Sequence, residues 1–170
     1  MRRGLLGALC VALLACSGIG ESILEQATGG DVELMEGGMD LTLPDGGTIQ
    51  LRWEDKATHA PQIPFTPPAG GVIGVSGVAT VPSMPTSYFV VYSSTDNAEA
   101  LVAQYTQEMV NMGLTPTPTT ADDGTIQLRA TRDDLTYFVA VPADNEEGNG
   151  VTLGVGSVEA IEQSLQQYAN

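Results

Sequence analysis

Histidine, cysteine, basic residues and aromatic rings are scarce in this chain: one His, two Cys, six Lys and Arg, and 5 % aromatic residues among 170. The single imidazole leaves no multi-histidine metal site within one chain. Twenty-one acidic residues set the net charge at -15, which argues against nucleic acid and anionic bilayer surfaces as partners, because like charge repels and no counterions are released. Few rings leave little material for a cofactor pocket, so no cofactor and no metal are expected. What is abundant is apolar residues, 42 % of the chain, enough for one modest core with accessory segments.

The amino terminus carries the most specific signal. Arg2 and Arg3 precede an apolar run from Gly4 to Ala15, the layout of an export signal and too short to span a bilayer. Leu13-Leu14-Ala15-Cys16 resembles a bacterial lipobox, which implies that the Cys16 thiol is diacylated and that cleavage precedes Cys16. An ordinary signal peptide that happens to contain a cysteine is the plainer alternative. Cleavage there removes Cys10 and both leading arginines, leaving Arg52, Lys56, Arg129 and Arg132 against 21 acids, a net charge of -17. No thiol then remains for a disulfide or zinc. Acyl chains anchor stably, at about 0.8 kcal/mol per buried methylene. Ser17 after Cys16, rather than Asp, resembles the pattern that directs lipoproteins to the outer membrane in enteric diderm bacteria.

After the signal (1–15) and a tether (16–30), residues 31–56 alternate apolar and polar positions between glycine turns. Val32 and Leu34, Leu41 and Leu43, and Ile49 and Leu51 each sit two apart, which predicts a small three-stranded meander. Residues 57–71 hold Pro61, Pro64, Pro67 and Pro68, four of the ten prolines, and read as an extended linker or a strap across the next domain. Residues 72–170 then read as an α+β domain. Strands are predicted at 72–81, 87–92, 114–119, 125–130, 135–141 and 151–155. A helix capped by Asp96 and stopped by Gly113 carries Leu101, Val102, Tyr105 and Met109 at helical spacing. Ser157 is read as the cap of a short C-terminal helix with Val158, Ile161, Leu165 and Tyr168 on one face. The expected fold is thus α+β, an antiparallel sheet with one main helix on one face.

Two segments echo each other. Asp45-Gly46-Gly47-Thr48-Ile49-Gln50-Leu51-Arg52 and Asp122-Asp123-Gly124-Thr125-Ile126-Gln127-Leu128-Arg129 differ at one position of eight. A duplicated hairpin would make Arg52 and Arg129 equivalent anion contacts. An Asp-Gly turn feeding a strand with Ile and Leu inward, occurring twice, accounts for the same residues.

A lipobox, a small β segment, a proline stretch such as Pro61-Gln62-Ile63-Pro64-Phe65 and a capped helix ending at Gly113-Leu114 before antiparallel strands resemble a loosely defined group of bacterial lipoproteins of unknown function. The likeness spans most of the chain after Cys16, and its motifs imply location and fold but no catalytic residue. Tyr88-Phe89-Val90-Val91-Tyr92 followed by the helical stretch from Asn97 to Gln104 also resembles the first strand and helix of the sporulation-related repeat (SPOR) domain, which implies peptidoglycan binding. The strands after the helix depart from that domain in number and order.

Other candidate chemistry is weaker. His59 reads as a solvated linker residue. The carboxylate pairs Asp122-Asp123, Asp133-Asp134 and Glu146-Glu147 sit at predicted turns, whereas a glycosidase needs two converging carboxylates. Residues 144–150 offer oxygen ligands without the spacing of a calcium loop, and the glycines from Gly70 to Gly77 lack the helix start that a phosphate site needs. Trp53 and Met84 are read as locally packed or as anchors for a partner. The expected function is a lipid-anchored envelope protein, held to the membrane through Cys16, that binds an envelope protein partner or supports the envelope without catalysis. A peptidoglycan binder and a carboxylate hydrolase are the alternatives. Labelled palmitate is expected to enter the wild-type chain and to be absent from Cys16→Ser; equal labelling of both would refute acylation at Cys16.

Overall fold

The computed structural model describes residues 29–143 and 149–157. Cys16 with its lipobox, the Glu146-Glu147 pair and the predicted C-terminal helix lie outside the described residues. The chain forms one antiparallel sheet of nine strands, in the order β1-β2-β3-β4-β5-β9-β8-β7-β6. The strands are β1 Asp31–Met35, β2 Gly38–Thr42, β3 Thr48–Trp53, β4 Val72–Thr80, β5 Ser87–Ser94, β6 Thr117–Thr120, β7 Ile126–Arg132, β8 Leu135–Val141 and β9 Asn149–Gly156. Among the described residues one α-helix, α1 (Ala98–Asn111), follows β5.

The meander of β1–β3 is continuous with the strands that follow it. Trp53 to Thr48 pair with Val75 to Thr80, so the sheet begins at Asp31 rather than near residue 72. The chain then zigzags as far as β5. There α1 crosses over and delivers β6 to the far edge, and β7, β8 and β9 fill inward until β9 pairs with β5 from Tyr88↔Val155 to Ser94↔Asn149. Both edges are blunted. β6 contains Pro118, which has no donor to offer another strand, and β1 carries Asp31 and Glu33 on its exposed positions.

Helix α1 begins one residue later than the sequence predicts. Asn97, not Asp96, is the cap: its Oδ1 accepts from the Ala100 N–H at 2.8 Å. Asn97 has the extended backbone that a cap needs, whereas the Asp96 N–H turns back to the Ser94 Oγ at 3.1 Å. The helix ends as expected at Gly113, whose φ of +74° is a left-handed conformation open to glycine. The Leu114 N–H reaches the Met109 carbonyl and the Gly113 N–H reaches the Val110 carbonyl, the paired bonds of a Schellman stop. This is why β6 starts at Thr117 and not at Leu114. Leu114 turns back and buries against the same core as Met109.

Leu101, Tyr105 and Met109 are fully buried, and Val102 lies partly buried at the margin. They meet Val90 and Tyr92 of β5, Leu128 of β7, Val139 of β8, and Val151 and Leu153 of β9, all on one face of the sheet. Residues 57–71 are a strap over this face, not a free linker, because Ile63 and Phe65 are buried in the same cluster. The Phe65 ring meets Tyr105 edge-on with centroids 5.9 Å apart. Truncating Leu101 to Ala leaves a void under α1 and is expected to cost about 2–5 kcal/mol in denaturant unfolding; a loss under about 0.5 kcal/mol would show that the helix does not seal this core.

Candidate functional site

The polar groups under the strap are tied into its seating. His59 is half-buried, with Nδ1 2.7 Å from the Tyr92 hydroxyl and Nε2 3.0 Å from the Ile63 carbonyl oxygen. A carbonyl only accepts, so Nε2 carries a proton and donates to it, and in the neutral ring Nδ1 accepts from the Tyr92 O–H. This corrects the reading of His59 as a solvated linker residue: proline-rich backbone lacks donors, and the imidazole supplies one to hold the turn at Ile63. A second clasp lies further along. The Tyr105 hydroxyl donates to the Thr66 carbonyl at 3.1 Å, and the Thr66 N–H donates to Glu108 Oε2 at 2.9 Å. Burial pushes the Tyr105 hydroxyl far above the ordinary tyrosine range, and the Glu108 carboxylate adds to the push. Burial raises Tyr92 as well.

Beside the strap, a cavity of roughly 100 Å³ is lined by Gln50, Arg52, Thr58, Ala60, Ser76 and Val78, among others. It has room for a few water molecules. Arg52 does not offer it an open cation. Its Nη1 lies 2.6 Å from Asp40 Oδ1 and also donates to the Leu51 and Met39 carbonyls at 2.7 and 3.2 Å, while Gln50 donates to the second Asp40 oxygen at 3.3 Å. The cluster closes on itself.

The echoed segments do not make a shared site. Their turns match in detail, but one residue out of step with the sequence match. The Gly46 N–H bonds to the Leu43 carbonyl and the Gly124 N–H to that of Ala121, with φ near +86° and +85°. Asp45 and Asp123 accept from the backbone N–H two residues on. The structure therefore aligns Asp45 with Asp123, whereas the sequence aligns it with Asp122. A slip of one residue turns a strand over. Ile49 and Leu51 face away from α1, Leu128 faces toward it, and Arg52 and Arg129 end on opposite faces.

The carboxylate pairs also stay apart. Asp122-Asp123 and Asp133-Asp134 occupy the turns at opposite ends of β7, separated by the whole of that strand, which spans about 20 Å. Asp123 is held below the usual carboxylate range, chiefly by the Thr125 backbone N–H. Asp133 and Asp134 have φ of 51° and 63°, both residues of a two-residue left-handed hairpin turn. Among the described residues, no group of three His, Cys, Asp or Glu gathers where it could hold a metal ion. The glycines from Gly70 to Gly77 lead into β4 with an irregularity between Ile73 and Val75, not into a helix. Trp53 packs partly buried against the β1–β4 cluster, and Met84 accepts a contact from the Ser157 hydroxyl at 3.7 Å.

What the sequence reading missed is a row across the face opposite α1. Register places Leu51, Gly77, Phe89, Gly154, Phe138 and Arg129 side by side on consecutive strands. Phe89 lies over Gly77 and Phe138 over Gly154 so closely that a methyl at either glycine would collide with the ring. Beside them Val91, Thr152, Ala140 and Gln127 form the next row. Phe138, Thr152, Ala140, Gln127 and Arg129 are all half-buried. The signal was present in Tyr88-Phe89-Val90-Val91-Tyr92 and Tyr137-Phe138-Val139-Ala140-Val141, unbroken apolar runs that mark strands apolar on both faces.

Comparison of the chain with protein-family models, curated proteins and solved structures finds no match. No helix among the described residues is long and apolar enough to cross a membrane.

Because both buried tyrosines keep their protons more tightly folded than unfolded, their contribution to stability is full below the unfolded value of about 10. It declines above that pH, by at most about 1.4 kcal/mol per pH unit for each. Urea titrations from pH 9 to 11 are expected to show this decline. Tyr105→Phe should start about 1 kcal/mol lower, from the lost hydrogen bond, and fall less steeply; an unchanged slope would show that Tyr105 is not the titrating group.

Proposed function

We propose that this protein is an exported, lipid-anchored module of the cell envelope, held at the outer membrane through Cys16, that binds an envelope protein without catalysis. The observation that carries the binding reading is the β7–β9 part of the face opposite α1. It presents a half-buried strip of Phe138, Ala140, Thr152, Gln127 and Arg129, with Asp122-Asp123 at one end of β7 and Asp133-Asp134 at the other. A centre that mixes Phe138 and Ala140 with Thr152, Gln127 and Arg129, between acidic turns, suits a partner segment that offers apolar and hydrogen-bonding side chains with neutral or basic neighbours. The charge of the whole chain, -15, adds attraction toward a basic protein and none toward an anionic glycan or lipid headgroup.

Peptidoglycan is the second reading. The strand and helix expected from the SPOR likeness are β5 and α1, and four strands rather than two follow α1. A sheet face bearing rings and side-chain amides can hold a glycan by shape and hydrogen bonds despite the charge. A photo-crosslinking residue placed at Gln127 or Ala140 in the native envelope is expected to capture one discrete protein, and the same residue at Gln107, on the exposed side of α1, is not. Equal capture at all three positions would remove the face from consideration. Salt-resistant retention of the full-length chain on purified sacculi, without a protein adduct, would replace the protein partner by peptidoglycan.

A further inference from the structure

Strand register leaves the α1 side of the sheet on two levels. Over β5 and β7–β9 that side is closed by α1 and the strap, which bury Leu101, Tyr105, Ile63 and Phe65 against it. On β2–β4 the same side carries Asp40, Gln50, Arg52, Ser76 and Val78, because Asp40 pairs with Gln50, Gln50 with Val78, Arg52 with Ser76, and Ser76 in turn with Val90 of the core. At the step between the two levels lies the cavity of roughly 100 Å³, with Thr58 and Ala60 of the strap on one side and Gln50, Arg52, Ser76 and Val78 of the sheet on the other.

The polar groups around this cavity are half-used. Ser76 is only 8 % exposed. Its Oγ accepts from the Thr58 N–H at 3.0 Å, yet its hydroxyl proton meets no acceptor among the described residues, and a buried donor without a partner is costly. The charge of Arg52 is closed on Asp40, but every one of its contacts runs through Nη1. The N–H groups of Nη2 and Nε are taken up by no described residue. A Cβ at Gly38 would lie 2.9 Å from Arg52 Cδ, so glycine there leaves room for the arginine to lie across β2. Gln50 donates through Nε2 to Asp40 at 3.3 Å and keeps Oε1 as an acceptor.

These groups define the ligand's chemistry. With Asp40 2.6 Å from Arg52 the site is neutral in sum, and the net charge of -15 disfavours an anion. The ligand must accept from Ser76 and Arg52 and donate to Gln50. A hydroxyl does both from one atom, and the C–H surface of a carbon frame bearing several suits Val78 and Ala60. A cavity of about 150 Å³ holds a benzene ring, so roughly 100 Å³ admits one edge of a sugar ring, the rest lying outside between Gln50 and Thr58, which are exposed.

We propose that this cavity binds the hydroxyl edge of a neutral sugar through Ser76, Arg52 and Gln50. It lies across the sheet from the β7–β9 strip, so the assignment is independent of what that strip binds.

NMR titration of the isotope-labelled full-length chain with glucose, mannose and N-acetylglucosamine tests it. At least one of these sugars is expected to move the Thr58 and Ser76 amide signals and the Gln50 side-chain signal, with a Kd of about 1–10 mM, as a few hydrogen bonds give a small neutral ligand. Gln50→Ala removes an exposed side chain, leaves the core untouched and is expected to weaken binding about fivefold, the effect of one hydrogen bond. Ser76→Ala is expected to weaken it at least as much, and Gln107→Ala, on the exposed side of α1, is expected to match wild type. Unchanged affinity in Gln50→Ala, tighter binding of inorganic phosphate or acetamide than of any of the three sugars, or no movement of these signals tenfold above the expected Kd would each overturn the proposal.

Discussion

The pairing of β9 with β5 holds the molecule together. It joins two meanders that are far apart in sequence, β1–β5 and β6–β9, into one hydrogen-bonded sheet, and it places two apolar clusters on opposite sides of one strand. Val90 and Tyr92 serve the cluster under α1, and Phe89, one residue before Val90, serves the other. Neither meander could supply this alone, since each buries only one face. The crossover by α1 is what lets β9 arrive beside β5: it carries the chain to the outer edge and leaves a slot that three further strands fill from outside inward. Pairing over so long a sequence separation carries a loop-closure cost that local hairpins do not.

The strap turns a proline-rich segment into part of the core. Its prolines remove donors, so side chains supply the hydrogen bonds that hold it: His59 within the strap donates to the Ile63 carbonyl, Tyr105 of α1 donates to that of Thr66, and Glu108 of α1 accepts from the Thr66 N–H. Ile63 and Phe65 supply the apolar seating between these points. The lone histidine, the buried tyrosines and the helix carboxylate thus act together in seating the strap.

The two faces of the sheet differ in how far they are covered. One face of the sheet is closed by α1 and the strap. The other is graded, from side chains nearly inaccessible at β1–β4 to the half-buried Gln127, Arg129, Phe138, Ala140 and Thr152 at β7–β9. The phenyl rings lie over glycines on the neighbouring strands, Phe89 over Gly77 and Phe138 over Gly154, where any larger residue would displace them. Acidic turns at both ends of β7 give the strip an electrostatic frame of the sign that the whole chain carries.

Much of this was legible in the residues themselves. Alternation located most of the strands, and the spacing of Leu101, Tyr105 and Met109 marked the buried side of α1, because period two and period 3.6 are properties of the local backbone. The stop at Gly113 was legible for the same reason. The choice of Asn97 over Asp96 as cap was not, since either side chain can accept the bond and only the backbone path out of β5 decides which one meets Ala100. The matched octapeptides show the limit most sharply. Their residues determined two similar Asp-Gly turns and two similar strands, yet a one-residue offset in how each turn closes sends Leu51 to one face and Leu128 to the other. Which face is inside depends on the element that packs there, and that is a property of strand order and crossover. Composition determined an acidic chain poor in histidine, cysteine and rings; the tertiary pairing of β5 with β9, and of β9 with β8, decided that Phe89 and Phe138 would share one face.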